Sequence, residues 1–173
     1  MNVVACDLET HGAAILAILN DAIVTSTALF DYVPRAPESM VAWFRAKEER
    51  RFPVLGATAG DGTLIGFATY GTFRAWPAYK YTIEHSVYVH RDHRRQGVAR
   101  VLMQRLIAAA EAQDYHVMVG GIDAANAASI ALHVELGFVH SGTIHEAGFK
   151  FGRWLDLAFY ERRLSTPAAP TDG

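Results

Sequence analysis

One cysteine, Cys6, is all that the sequence contains, so no disulfide can close within the chain. That fits a reducing compartment. A lone cysteine on the first apolar segment reads as a small buried residue rather than as a nucleophile. No apolar run approaches the roughly 20 residues that span a bilayer. The opening MNVVACDLET has no basic leader region and carries Asp7 and Glu9, so it does not read as a secretory signal, and a cytoplasmic protein is expected. Charge of one sign is scarce as well. A formal net charge of -2 over 173 residues excludes the basic excess of a general nucleic-acid binder. GxxxxGK[ST] is absent and no GxGxxG follows a strand, so P-loop and dinucleotide-binding readings lose their support. His11, His90, His93, His116, His140 and His145 form no H-E-x-x-H pattern and have no cysteine beside them. No metal site is expected.

What remains is an ordinary globular composition, 51% hydrophobic and 20% charged, in a length that suits one domain with a sizeable core. The expected domain runs over 1–164. The last nine residues, STPAAPTDG, are small and proline-rich and predict a flexible tail over 165–173. Asn2 to Cys6 reads as a strand. Thr10 is placed to cap a helix on which Ile15, Leu16, Leu19 and Ile23 recur at helical spacing. Pro34 and Pro37 make the next stretch a loop. Its Phe30 and Tyr32 either wall a pocket or partner surface, or fold back onto the core. Glu38 begins a second helix with Met40, Val41, Trp43 and Phe44. Pro53 precedes strand VLGATA, and Asp61-Gly62 is a turn signal leading into TLIGFATYGTF. RAWPAYKY, with Arg74 and Trp76, interrupts the sheet at Pro77. After the central segment come the short buried strand HVMVGGI, a helix that Asn126 can cap and Gly137 stops, and two closing strands at Phe138–Ile144 and Leu155–Tyr160. The glycine-containing HEAGFKFGRW is expected to join those two. The order βααβββαβαββ is that of a mixed-sheet α/β domain.

The central segment is Tyr81 to Ala109. Alternation puts Tyr81, Ile83, Val87 and Val89 on one face of a strand, and Thr82, Glu84, Ser86 and Tyr88 on the other. A basic turn follows, and then a helix with an apolar stripe at Val98, Leu102, Leu106 and Ala109. Arg94-Arg95-Gln96-Gly97-Val98-Ala99 lies where strand gives way to helix. Free N–H groups and the positive end of the helix dipole make that place suitable for an anion. Gly97 and Ala99 leave room for a bulky diphosphate. Arg91, Arg94, Arg95 and Arg100 crowd the helix start, where cations are usually unfavourable, and a polyanion would relieve them. A solvated basic turn is the bland alternative.

Arg94-x-x-Gly97-x-Ala99 resembles the Q/R-x-x-G-x-G/A motif of the GNAT superfamily of N-acetyltransferases. The segments TIEHSVYV, HVMVGGID, NAASIALHVELGF and FKFGRWLDL are similar to the phosphinothricin and methionine sulfone/sulfoximine N-acetyltransferases, and the likeness runs from about Val3 to Leu164. The fold it implies is a single GNAT-type domain, with a mixed, mostly antiparallel central sheet splayed between two strands and flanked by helices. It also implies acetyl-CoA as co-substrate. The diphosphate would rest on Arg94, Arg95, Gln96, Gly97, Val98, Ala99 and Arg100, and the pantetheine arm along Val87, Tyr88 and Val89 and against Asn126. The N–H of Val87 would polarise the thioester carbonyl.

The same resemblance implies two proton-handling residues. His133 stands where most of the superfamily has a tyrosine that protonates the leaving thiolate, and the phosphinothricin-type group also has histidine there. Glu84 can take the proton of the attacking amine. Alternatively Glu84 pairs with an arginine or holds the substrate ammonium. Arg74, in the run YGTFRAW, suits the carboxylate or phosphinate of the acceptor. Ala75, Trp76, Phe30, His85 and Ser86 are further acceptor-lining candidates. A cytoplasmic homodimer is implied, with no nucleic-acid or membrane partner. The expected reaction is direct transfer of acetyl to the α-amine of a small amino acid or analogue. The alternatives are another amine (a protein N-terminus, a polyamine, an aminoglycoside) or a non-catalytic acyl-CoA-binding module.

Overall fold

A computed structural model describes residues 1–172 of the chain. Gly173, the last residue of the expected tail, lies outside the described residues. The elements follow the predicted order: β1 (Asn2–Ala5), α1 (Leu8–Thr25), α2 (Ser39–Glu49), β2 (Val54–Thr58), β3 (Leu64–Thr72), β4 (Thr82–Val89), α3 (Val98–Ala112), β5 (Val117–Asp123), α4 (Ala127–Glu135), β6 (Val139–Lys150) and β7 (Arg153–Arg163). Short 3₁₀ turns at Pro77–Tyr79 and Arg91–His93 flank β4. Strand order is β1-β2-β3-β4-β5-β7-β6. β4 pairs with β5 in parallel, while β1/β2, β2/β3, β5/β7 and β6/β7 are antiparallel. This is the mixed, mostly antiparallel α/β sheet that the sequence predicts. A parallel neighbour needs a crossover, and α3 provides it. Among the described residues, no helix is long and apolar enough to cross a membrane.

The chain divides into two compact units. The first is Met1–Tyr70 with Ser86–Leu106, and the second is Gly71–His85 with the chain from Ile107 onward. In the first unit Ile15, Ile18 and Leu19 of α1 pack with Met40 and Phe44 of α2 and with Val54, Leu64 and Phe67 of the sheet. Burial of each such side chain is worth about 1.5–3 kcal/mol. Asp7, and not Thr10, caps α1. Its carboxylate accepts from the Thr10 N–H at 2.6 Å. A carboxylate both satisfies that N–H and faces the positive end of the helix dipole, so the helix starts at Leu8 and Thr10 lies inside it. Gly66 of β3 matters for α3. A Cβ there would come within 3.1 Å of Val98 Cγ1 and 3.4 Å of Leu102 Cδ1, so its absence lets the helix that carries the basic turn lie close to the sheet.

In the second unit β7 runs antiparallel to both β5 and β6. HEAGFKFGRW is not a loop, contrary to the sequence reading. β6 continues to Lys150, and the chain reverses at Phe151-Gly152, with φ of 50° and 74°. Two residues at positive φ are what a tight type I′ hairpin needs. The irregular residues are absorbed as register shifts inside β6, between His140 and Gly142 and between Ile144 and Gly148. Asp156 of β7 holds that stretch by accepting from the Glu146 N–H at 2.8 Å and pairing with His145 Nδ1 at 2.9 Å. In the tail, the Thr166 carbonyl accepts from His116 Nδ1 at 2.8 Å, and Thr171 N–H donates to the Tyr81 hydroxyl at 3.1 Å.

Candidate active site

The basic turn belongs to the first unit. Val89 ends β4, the 3₁₀ turn Arg91–His93 follows, and α3 opens at Val98. The Val101 N–H bonds to the Gly97 carbonyl at 3.1 Å, which leaves the first-turn N–H groups without helical partners. Arg95 and Gly97 both stand at positive φ, 60° and 79°. A Cβ on Gly97 would meet nothing within 4 Å, so the backbone is open to a bulky group. That is the cradle a diphosphate needs. Arg94, Arg95, Gln96 and Arg100 are exposed around it. The crowding of cations is answered in part from within the chain. Asp21 of α1 pairs with Arg91, and with Arg94 at 3.7 Å. Nothing in the sequence around Asp21 marks it for this role.

On β4 itself, Val87, Tyr88 and Val89 lie in the first unit and are partly buried. Tyr88 stacks at a tilt on Phe67, with ring centroids 5.4 Å apart. The register of β4 with β5 covers Thr82↔Val117, Ile83↔Met118 and Glu84↔Val119 and stops there. Ser86 follows, partly buried. Phe30 is 39% exposed on the α1–α2 loop.

Cys6 takes no part in a nucleophilic arrangement. Burial pushes its thiol up to about 12, so it carries no thiolate at neutral pH.

The second unit holds Arg74, Glu84, His85, Asn126 and His133. Glu84 is partly buried. Burial raises its carboxyl above the ordinary value, and the Arg74 cation pulls it partly back. Arg74 is exposed. Its guanidinium lies 4.3 Å from the Phe73 ring centre, and Nη1 donates to the Phe73 carbonyl at 3.0 Å. Ala75 and Trp76 are exposed beside it, Trp76 by 70%.

Asn126 caps α4. Its side-chain oxygen accepts from the Ser129 N–H at 3.1 Å. The Ser129 carbonyl in turn accepts from His133 Nδ1 at 2.7 Å. His133 is 2% exposed, and its Nε2 lies 3.1 Å from Nε2 of His85, which is 7% exposed. The two rings stack at 5.0 Å with 20° between their planes, and the Phe138 ring meets both edge-on. Burial drives both imidazoles down, His85 to about 3 with a further push from His133. Both are therefore neutral at physiological pH.

The strand alternation separates two neighbours that the sequence places in one acceptor-lining group. Glu84 lies beside Gly121, where a Cβ would come within 3.3 Å of Oε1. His85 lies beside Gly120, where a Cβ would come within 2.7 Å of His85 Nε2 and 3.2 Å of His133 Nε2. The two glycines of HVMVGGI therefore make room, one for the carboxylate and one for the histidine pair. Sequence reasoning missed this role, although a glycine pair inside an apolar strand is itself a signal of close approach. Among the described residues no group of three His, Cys, Asp or Glu could hold a metal ion.

A model of the acetyltransferase (GNAT) family matches residues 18–138. The chain is 45% identical over 157 residues to an L-methionine sulfoximine/L-methionine sulfone acetyltransferase of Pseudomonas paraeruginosa, covering 90% of this chain and 91% of the relative. It is 35% identical over 158 residues to a phosphinothricin N-acetyltransferase of Streptomyces viridochromogenes, covering 91% and 85%. The crystal structure of a GNAT superfamily phosphinothricin acetyltransferase from Sinorhizobium meliloti, in complex with acetyl-CoA, superposes with a TM-score of 0.94 at 28% identity, covering 99% of this chain and 92% of that one.

Proposed function

We propose, on the premise that the chain belongs to the acetyltransferase (GNAT) family and is an N-acetyltransferase, that it moves acetyl from acetyl-CoA to the α-amine of a small amino acid or analogue of the methionine sulfone, methionine sulfoximine or phosphinothricin type. The observation that carries this reading is β4. One continuous strand holds Glu84 and, three residues on, Val87 to Val89 leading into the anion cradle. At about 3.3 Å per residue, Glu84 and Val87 are roughly 10 Å apart along the strand. A proton acceptor and a run of backbone for the thioester arm thus come on one strand.

In this reading the diphosphate rests on the turn from Arg94 to Arg100, and the pantetheine follows Val87–Val89. The Val87 N–H meets the oxyanion as the C–N bond forms. The C–S bond then breaks and the thiolate leaves. Glu84 takes the proton of the ammonium group, and His133 is the second proton-handling residue. Arg74, with Ala75 and Trp76 beside it, holds the acceptor's acidic group by paired hydrogen bonds. The transfer is direct, because the one thiol stays protonated. The protein acts in the cytoplasm as a homodimer.

An acceptor panel that follows thiol release from acetyl-CoA tests the proposal. Methionine sulfone, methionine sulfoximine and phosphinothricin are expected to turn over, and polyamines are not. If acetyl-CoA binds and no amine in a broad panel turns over, the acyl-CoA-binding alternative replaces it. A second measurement tests the acceptor end. Arg74→Ala is expected to raise the acceptor KM by ~10–100-fold, as for a lost charge-assisted hydrogen bond. It also removes the cation that lowers the Glu84 carboxyl. The acid limb of kcat/KM should therefore move to higher pH. An unchanged KM for a free amino acid would overturn the acceptor assignment.

A further inference from the structure

His133 is a buried imidazole whose two nitrogens are both engaged, and the partners fix where its protons sit. A carbonyl oxygen can only accept. The 2.7 Å bond between His133 Nδ1 and the Ser129 carbonyl therefore requires the proton on Nδ1. In a neutral ring Nε2 is then a bare lone pair. The two Nε2 atoms, 3.1 Å apart, can share a hydrogen bond only if the other ring brings the proton. His85 must carry it, which leaves His85 Nδ1 bare. That atom is buried and has no hydrogen-bond partner, as a nitrogen without a proton in an apolar site would be.

We propose that His85 is a positioning residue for His133: by donating from its own Nε2 it holds His133 in the tautomer with the proton on Nδ1 and the lone pair on Nε2. Which nitrogen of a histidine is protonated is set by the bond the other nitrogen makes. Here both bonds agree, and the stacked ring of His85 and the edge of Phe138 fix the plane of His133 as well. The position on β4 suits this task, since His85 faces Gly120, His133 and Phe138 while Glu84 faces Gly121. His133 is a titratable group in contact with His85, and Tyr160 of β7 stands opposite Gly120 in the strand register. The pair is then a neutral unit in which the His133 Nε2 lone pair accepts from His85.

The test begins with the substrate-free protein and long-range ¹H–¹⁵N spectra of ¹⁵N-histidine-labelled chain, with His133 and His85 assigned by substitution. The expected spectrum shows protonated-type nitrogen at His133 Nδ1 and at His85 Nε2, unchanged as pH falls through the ordinary histidine range. His85→Leu removes the donor to the neutral form of His133. A hydrogen bond to the neutral form opposes charging, so His133 should titrate at higher pH in this variant than in the wild type. Its kcat should fall by ~10–100-fold, the size found when an orienting partner of a functional histidine is lost, with the KM for acetyl-CoA moving little. His85→Gln restores an N–H donor and should recover most of kcat. A proton on His133 Nε2 in the wild type would overturn the proposal. So would Gln and Leu variants of equal activity. If the Leu variant fails to fold, the wild-type and Gln spectra still decide. The rate readout rests on the proposed transfer reaction, whereas the spectra need no substrate. A failed acceptor panel and a failed tautomer assignment are therefore separate results.

Discussion

Replacing Glu84 by Gln is expected to lower kcat with an amino-acid acceptor by ~10²–10⁴, the range for loss of a positioned general base, while acetyl-CoA binding stays unchanged. The substitution keeps size and removes only the capacity to take a proton. An α-amine is mostly protonated at neutral pH, and a protonated amine has no lone pair to attack with. The variant's rate should therefore climb with pH as the amine ionises without help, where the wild type has already levelled off. In the wild type the acid limb follows the carboxyl. Burial outweighs the Arg74 cation and sets Glu84 above its ordinary value, near 4.3 for an unperturbed glutamate. In the proposed mechanism activity needs the carboxylate, so it should be lost as pH falls through that raised value, with the limb above the ordinary glutamate range. Stability runs the other way. A carboxyl whose folded pKa is raised favours the folded state more as it protonates, and it opposes folding once ionised. The Gln variant should thus have an unchanged or higher Tm at pH 7. A large rise in KM with kcat intact would show that Glu84 holds the ammonium and does not take its proton.

The second large effect is expected from one added carbon. Gly120→Ala should destabilise the protein by about 1–3 kcal/mol, the cost of overpacking a filled interior, and should take most of the activity with it. The new Cβ would stand 2.7 Å from His85 Nε2 and 3.2 Å from His133 Nε2. Neither ring can swing aside easily, because each is stacked on the other and edged by Phe138. The clash therefore falls on the bond between the two imidazoles. Gly121→Ala is the control. Its Cβ would meet Glu84 Oε1 at 3.3 Å, on a partly exposed carboxylate that can move by a few tenths of an ångström, so its cost in stability should be smaller. Thermal melts of the two variants check the order, and it fails if Gly121→Ala is the more damaging.

The elements differ in how far they could be read before the fold was known. The order βααβββαβαββ rests on local periodicity, and the structure repeats it. The basic turn was legible for a similar reason, since Arg94, Gly97 and Ala99 are neighbours in sequence and their geometry is a local strand-to-helix turn. The left-handed backbone at Arg95 carries no residue signal, because arginine seldom adopts it. The closing hairpin was read too short. Its glycines look like a loop, but Asp156, across the ladder, holds them within a strand. Asp21 pairs with Arg91 and Arg94 across about 70 residues of chain, and no motif announces such a pairing.

The sequence by itself pointed to the reaction class through its resemblance to the N-acetyltransferases, and to an anion-binding turn because Arg94, Gly97 and Ala99 are close neighbours in the chain. Strand alternation sets Glu84 and His85 on opposite sides, although the sequence reading placed both among the acceptor-lining residues. Only the tertiary structure decided what each side meets. The parallel pairing of β4 with β5 sets Glu84 opposite Val119, with Gly121 two residues on along β5. α4 then returns His133, 48 residues along the chain, to hydrogen-bond distance of His85. A contact at that separation is fixed by strand order and helix placement, and local sequence carries no record of either.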